Sequence, residues 1–302
     1  MALCLLSRFH LIEAGCMRCL IRLPLFYVCL AVPQSALAVS AGNVHWAYSA
    51  YFGTGVYQIN DFATVGVVRL TPGWTFRESG FDDDGKRTLG WRFRLPVALG
   101  YHDFNFRNIG EIVDLDNVVT VSVIPGVEMD IPVTRRWTLR PLLYVGWGTV
   151  TDSPDSAWSY WTGIKSRYRW NTGKLEWNLL NAISYVGFAP NEDNKSSGMV
   201  PIMTGFEWAY PFTNLKMDNI PLELNWHVAY TAFQNDLDLP PFLDQNAKHV
   251  IDMWQVGVAL GKQGKQFEFW KFKWDRVGLA VERGGNDNLR GIKIYFSSVF
   301  DR

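Results

Sequence analysis

Cysteine is nearly missing from this chain: four residues in 302, at Cys4, Cys16, Cys19 and Cys29. Nothing beyond residue 29 can form a disulfide or offer a thiolate to a metal, which excludes a small disulfide scaffold. An excess of either charge is missing too. Lys+Arg and Asp+Glu both number 29, for a formal net charge of zero. That excludes the basic face that nucleic acid requires. With 48% hydrophobic residues the chain also lacks the composition of a disordered segment. Helical periodicity longer than a few turns is absent after residue 43. Catalytic signatures are lacking as well. Beyond the N-terminal segment the histidines are His45, His102, His227 and His249, and two residues further on stand Ala47, Phe104, Ala229 and Ile251. No His-x-Ser pair of the outer-membrane lipase kind exists, so no base reaches a serine hydroxyl in that way. No H-E-x-x-H zinc motif occurs. What is abundant is the aromatic side chain: 14 Trp, and 15% aromatic residues in all. Two aromatic girdles at membrane interfaces account for such a composition.

The N-terminus reads as a targeting segment. From Met17 a basic Met-Arg-Cys-Leu-Ile-Arg run leads into Leu23–Val32, and Ala36-Leu37-Ala38 follows. Basic n-region, short apolar h-region and A-x-A cleavage site make a secretory signal peptide over 1–38, with Met17 as an alternative start. The apolar run falls short of the ~20 residues that a spanning helix needs. Cleavage leaves 39–302, which contains no cysteine and every Trp.

Residues 39–302 alternate with period two, the mark of strands. On 158–170, Trp158, Tyr160, Thr162, Ile164, Ser166, Tyr168 and Trp170 share one face. Lys165, Arg167 and Arg169 lie on the other, with Ser159 and Trp161. At ~3.3 Å per residue and ~40° tilt such a strand covers roughly 30 Å, a bilayer's height. Strands of soluble proteins average only ~5–6 residues. The same alternation recurs on 91–101, 119–131, 137–147, 175–185, 202–212, 222–230 and 250–260, the last with Val250, Trp254, Val256, Val258 and Leu260 on the apolar side. Short gaps near 132–136, 171–173, 213–219 and 261–265 alternate with long polar ones near 102–117, 151–157, 189–198, 234–249 and 283–288. Short turns at one end and long loops at the other predict an all-β, transmembrane, antiparallel up-and-down barrel of about 12 strands. Two stretches resist. The 77–87 gap is long for the short-turn side, and over 267–282 the apolar register slips, which predicts a bulge or a displaced turn. The aromatic girdle is expected at Trp91, Tyr101, Trp137, Trp147, Trp158, Trp170, Trp177 and Tyr185.

The C-terminal stretch Leu289-Arg290-Gly291-Ile292-Lys293-Ile294-Tyr295-Phe296 fits the terminal-strand signal read by the barrel assembly machinery, polar-x-Gly-x-x-apolar-x-aromatic, apart from Leu289 at the polar position. Its candidate residues are Gly291, Ile294, Phe296 and Phe300; six residues follow Phe296, so the terminal aromatic is not last. Ile292, Ile294, Phe296 and Phe300 are expected to face lipid and Lys293 to face inward. With 117–148, a Val-rich strand ending P-G-V-E paired with a W-T-L-R-P strand ending G-W-G, the chain resembles the solitary outer-membrane autotransporter-like barrels of Gram-negative bacteria. The resemblance implies the translocator half of an autotransporter without a passenger. Only 39–43 precede the first strand pattern, so no passenger is expected. It implies an outer-membrane location, contact with outer-membrane lipid, and passage by way of periplasmic chaperones and the assembly machinery. It brings no catalytic residues and no cofactor.

The inward-facing charges are Arg92, Arg94, Glu128, Asp130, Arg140, Lys165, Arg167, Arg169, Glu176, Glu207, Glu223 and His227. Opposite signs fall on adjacent strands in the half nearer the short turns, where cross-strand pairs are worth ~0.2–1 kcal/mol each. A selective pore would show one sign around a ring. The expectation is a salt-bridged plug, with Glu176 relieved by Arg169 or Arg167. The alternative is a constriction for a small solute. No cofactor, no metal and no nucleic acid is expected, and an outer-membrane enzyme is the least favoured class. Asp82-Asp83-Asp84-Gly85 resembles a fragment of a calcium loop but lacks its closing Glu, so a solvated turn is expected there.

Overall fold

In a computed structural model the described residues are 51–59, 63–104, 118–151, 156–191, 197–237, 250–269, 272–285 and 287–301. The expected signal peptide lies outside them. Twelve strands close into one antiparallel barrel. They are β1 (Gly55–Ile59), β2 (Ala63–Leu70 and Gly73–Arg77), β3 (Gly90–Arg94 and Val97–Phe104) and β4 (Val118–Val123 and Gly126–Pro132). Next come β5 (Trp137–Val150), β6 (Ser156–Thr172), β7 (Leu175–Pro190) and β8 (Pro201–Met217). The ring ends with β9 (Ile220–Leu237), β10 (Val250–Lys262), β11 (Arg276–Gly284) and β12 (Leu289–Tyr295). Each strand pairs with the next, and β12 pairs with β1 from Gly55↔Lys293 to Ile59↔Leu289. Closure removes the sheet edges that a bilayer would leave without hydrogen-bond partners.

Prolines explain why three strands come in two pieces. Pro72, Pro96 and Pro125 stand side by side in β2, β3 and β4, each withdrawing one N–H from the ladder. Their carbonyls still accept from Leu95, Ile124 and Val145 at 2.9, 2.9 and 3.0 Å. The pairing therefore resumes in register on both sides of the break.

The turns follow the local residues. Between β6 and β7, Gly173 takes φ +60°. Between β8 and β9, Asp218 and Asn219 take φ 52° and 62°, the positive pair that a two-residue hairpin of matching twist requires. The strand β8 thus runs to Met217, further than the expected gap at 213–219. The 77–87 stretch folds as a small hairpin, Gly80–Phe81 against Arg87–Thr88. Its Asp82 carboxylate accepts from the Lys86 N–H at 2.5 Å, making Asp82–Gly85 a turn. The expected short turn at 261–265 is longer. After Gly264 the chain makes a second small hairpin, Phe267–Phe269 against Phe272–Trp274, outside the barrel ladder. The slip in register at 267–282 is this inserted hairpin, and Trp274 holds it against Phe296 with ring centroids 6.3 Å apart.

The outer face is apolar all round. Val68, Leu99, Leu143, Ile164, Ile183, Phe206, Val256, Leu279 and Ile292 are exposed on successive strands. Trp91, Trp137, Trp170 and Trp177 stand on this face at the short-turn end, and Tyr101, Trp147, Trp158 and Tyr185 at the long-loop end. Within the first group Trp170 stacks on Trp177, and Trp177 on Trp208. On β10 an outer assignment fails. Val250 is buried and its neighbour Ile251 is exposed, because the β9–β10 register shifts between Ala232 and Leu237.

Candidate functional site

The lumen has two parts, divided along every long strand. Toward the long loops it is apolar. Phe52, Tyr57, Val65, Ile124, Leu142, Tyr144, Trp161, Val186, Phe188, Phe233, Met253 and Leu289 form one buried cluster. Tyr51 enters it edge-on, 6.3 Å from Trp161 and 6.3 Å from Phe233. Most of the surface these side chains bury is hydrocarbon, so among the described residues this part is filled by close packing. A cavity of about 60 Å³ is left at its lower margin, between Leu142, Trp161, Lys165, Met253 and Val299.

Toward the short turns the lumen is charged, in three groups. The first joins β3, β4 and β5. Arg92 meets Asp130 at 2.7 Å, Arg94 meets Glu128 at 3.3 Å, and Arg140 meets Asp130 at 2.5 Å and Glu128 at 3.7 Å. The Tyr144 hydroxyl donates to Glu128 at 2.7 Å, and its ring lies where a side chain on Gly126 would stand. Arg140 is fully buried, so its guanidinium depends on these carboxylates. The second group joins β6, β7, β8, β9 and the start of β11. Arg276 meets Glu207 at 3.1 Å and Asp275 at 3.2 Å. Asn225 donates to Glu223 at 3.2 Å. Arg169 meets Glu176 at 3.2 Å at the rim, where the two side chains are 47% and 41% exposed. The third group is the buried run His227, Gln255, Lys293 and Glu282. Gln255 contacts His227, and Lys293 donates to Gln255 at 2.9 Å and pairs with Glu282.

Of the twelve residues expected in the lumen, Glu128, Asp130, Arg140, Lys165, Glu207 and His227 are buried, Arg92, Arg94, Arg167, Glu176 and Glu223 are half-buried, and Arg169 is exposed at the rim; in the first group opposite signs lie on neighbouring strands. Of the two expected partners of Glu176, one is in place. Glu176 pairs with Arg169 at the rim, while Arg167 turns toward the tail. The sequence reading placed Gln255 opposite the apolar face of its strand, but missed Arg276, Asp275, Glu282 and the tail. Arg276 was hidden by the inserted hairpin, which obscured where β11 begins.

The tail is the main correction. Phe300 does not face lipid. After β12 the chain turns into the lumen as a 3-10 turn, Val299–Asp301, and Phe300 is 1% exposed. Val299 and Phe300 pack on Leu180 and Ala229 of the opposite wall. The Phe300 ring lies 4.1 Å from the Arg140 guanidinium and 4.7 Å from that of Arg167. Its carbonyl accepts from Lys165 at 3.2 Å and Arg140 at 3.4 Å. The Asp301 carboxylate pairs with Arg140, with Arg92 at 3.3 Å and with Arg94 at 3.7 Å. Burial opposes charge on Asp301, but Arg140, Arg94, Arg167 and Arg92 outweigh it and hold this carboxyl well below the usual range. The remaining members of the expected insertion signal keep their places. Ile294 and Phe296 face outward. Gly291 lies under the Tyr57 ring, which a Cβ would strike.

Below and beside the tail are two partly open cavities. One, of about 340 Å³, is lined by Thr54, Arg69, Arg92, Arg94, Trp274 and Asp301. The other, of about 790 Å³, is lined by Arg169, Glu176, Glu207, Glu223, Lys262 and Arg276.

No family model matches the sequence, and no curated protein matches it. Among solved structures, the crystal structure of the β domain of the Bordetella autotransporter BrkA matches with a TM-score of 0.46 at 9% identity, covering 80% of this chain and 91% of that one. The superposition is loose. The closed twelve-strand barrel, the fold that the resemblance implied, rests on this chain's own pairing register.

Proposed function

We propose that this chain is an integral outer-membrane barrel of a Gram-negative bacterium, resembling an autotransporter translocator without a passenger. Its role is structural or at the cell surface, and its lumen is shut. The observation that carries this reading is the continuous apolar belt on the outer face, bounded by aromatic residues at both ends. Such a surface is insoluble in water and suits lipid. Outer-membrane lipid is then its solvent, and periplasmic chaperones and the assembly machinery its partners on the way there.

The test is insertion. The refolded chain should show heat-modifiable migration in detergent gels and enter lipid vesicles. Ile164, paired with Pro141 and Ile183 near the middle of the wall, should then lie at mid-bilayer. Ile164→Arg should weaken insertion by about 2–4 kcal/mol, the cost of a midplane cation. Single-Trp variants keeping Trp158 or Trp170 should be quenched by brominated lipid near the two interfaces. Quenching of both at the bilayer centre would overturn the placement. The alternative, a small-solute channel, is favoured by the polar vestibule at the short-turn end. A steady open current from the intact protein in a planar bilayer would establish it in place of the shut barrel.

A further inference from the structure

Five cations, Arg92, Arg94, Arg140, Lys165 and Arg167, converge on one level of the lumen. Among the described residues the walls supply two carboxylates to the arginines, Glu128 and Asp130. The third acid, Asp301, arrives on the tail. We propose that these residues form a binding site for a small organic anion, an aromatic carboxylate, and that Val299–Asp301 is its built-in occupant.

Both halves of such a ligand have separate receptors. The carboxylate position is held by Arg92, Arg94 and Arg140, whose guanidinium groups reach Asp301. Arg matches a carboxylate with a fork of donors. The ring position is held between the guanidinium groups of Arg140 and Arg167, 4.1 and 4.7 Å from Phe300, with Leu180 and Ala229 as its apolar floor. Cation and ring attract through the ring's quadrupole, and more so when desolvated. Lys165 and Arg140 add a second oxygen position, filled now by the Phe300 carbonyl. Entry does not require a pore. The 340 Å³ cavity reaches Arg92, Arg94 and Asp301 directly, while the apolar part of the lumen stays shut. The site rests on the lumen geometry and is independent of whether the barrel conducts.

The test is equilibrium binding to the refolded barrel in detergent, read by calorimetry, with 3-phenylpropanoate as probe. Two variants vacate the site: a chain ending at Ser298, and the full-length Phe300→Ala, Asp301→Asn double variant, which keeps the tail's length should the shorter chain fail to fold. Either should bind the probe at least about tenfold more tightly than the intact protein, a difference of ~1.4 kcal/mol. Arg167→Gln in the same background should abolish most of the gain. The cation 3-phenylpropylamine should not bind. Equal binding by the intact and vacated proteins would overturn the proposal, as would equal binding of acetate, which has no ring. A current through the intact barrel would overturn the shut-barrel reading and leave this measurement unaffected.

Discussion

On β10, Met253 and Gln255 stand two residues apart and face the same lumen, both buried. Met253 belongs to the apolar cluster, and Gln255 links His227 to Lys293. The apolar part is closed by packing that many similar side chains could supply. The charged part is closed by partners that are specific, because each buried charge depends on a named neighbour. Removing charges therefore opens only the charged part. Conductance should stay near background when they are neutralised, contrary to what a plug made of charges alone would give.

The contrast can be broken at its strongest point first. Lys293→Met leaves Glu282 buried without its cation, and should cost about 3–5 kcal/mol of stability. Adding Glu282→Met should restore most of it, and the urea midpoint of the refolded barrel in detergent measures both. A smaller effect sharpens the comparison on β10 itself. Gln255→Leu deprives Lys293 and His227 of a partner and should cost about 1–3 kcal/mol. Met253→Leu keeps volume and polarity and should cost less than about 1.5 kcal/mol. If the two substitutions cost the same, the two parts of the lumen do not differ in kind.

Two further expectations are weak effects. Arg169→Gln or Glu176→Gln at the rim should change the midpoint by less than ~1 kcal/mol, since both side chains are roughly half-exposed and screened. The tail adds a pH signature. The Asp301 carboxyl has its folded pKa depressed, so its contribution is fully present above the unfolded value of ~3.9. It is lost as pH falls through the lower folded value. The difference in midpoint between the intact protein and Asp301→Asn should therefore be constant from pH 7 to about 4.5, and should shrink only in stronger acid.

Much of the wall was legible in the sequence, because burial imposes a period of two that a barrel keeps along whole strands. Trp158, Ile164 and Lys165 fall where alternation puts them. The proline breaks were not legible as breaks, since Pro96 and Pro125 leave that alternation in phase. Val250 was misassigned for the opposite reason: a shift in register carries no mark in composition. Phe300 was misassigned because a β-pattern extended past Phe296 cannot reveal a chain that leaves the wall. The residues after Phe296, two serines and then Val-Phe-Asp, were the available sign, since an acid in that position has no place on a lipid-facing strand.

The closure between β1 and β12 joins five residues to five, whereas β6 and β7 are paired over their whole length from Ala157↔Pro190 to Thr172↔Leu175. Among the described residues β1 begins at Gly55, and the piece Gly73–Arg77 has a strand neighbour on one side only, with Phe76 74% exposed. A ring fails at its shortest overlaps, and β1 is held by five pairs on each side, to β2 and to β12. Rupture at this seam would uncover two unpaired borders, each a template for another chain. The weakest line of the cylinder is thus also where two copies would most readily exchange strands, and the tail that springs from β12 just past this line crosses to the far wall and ties the two sides together from within.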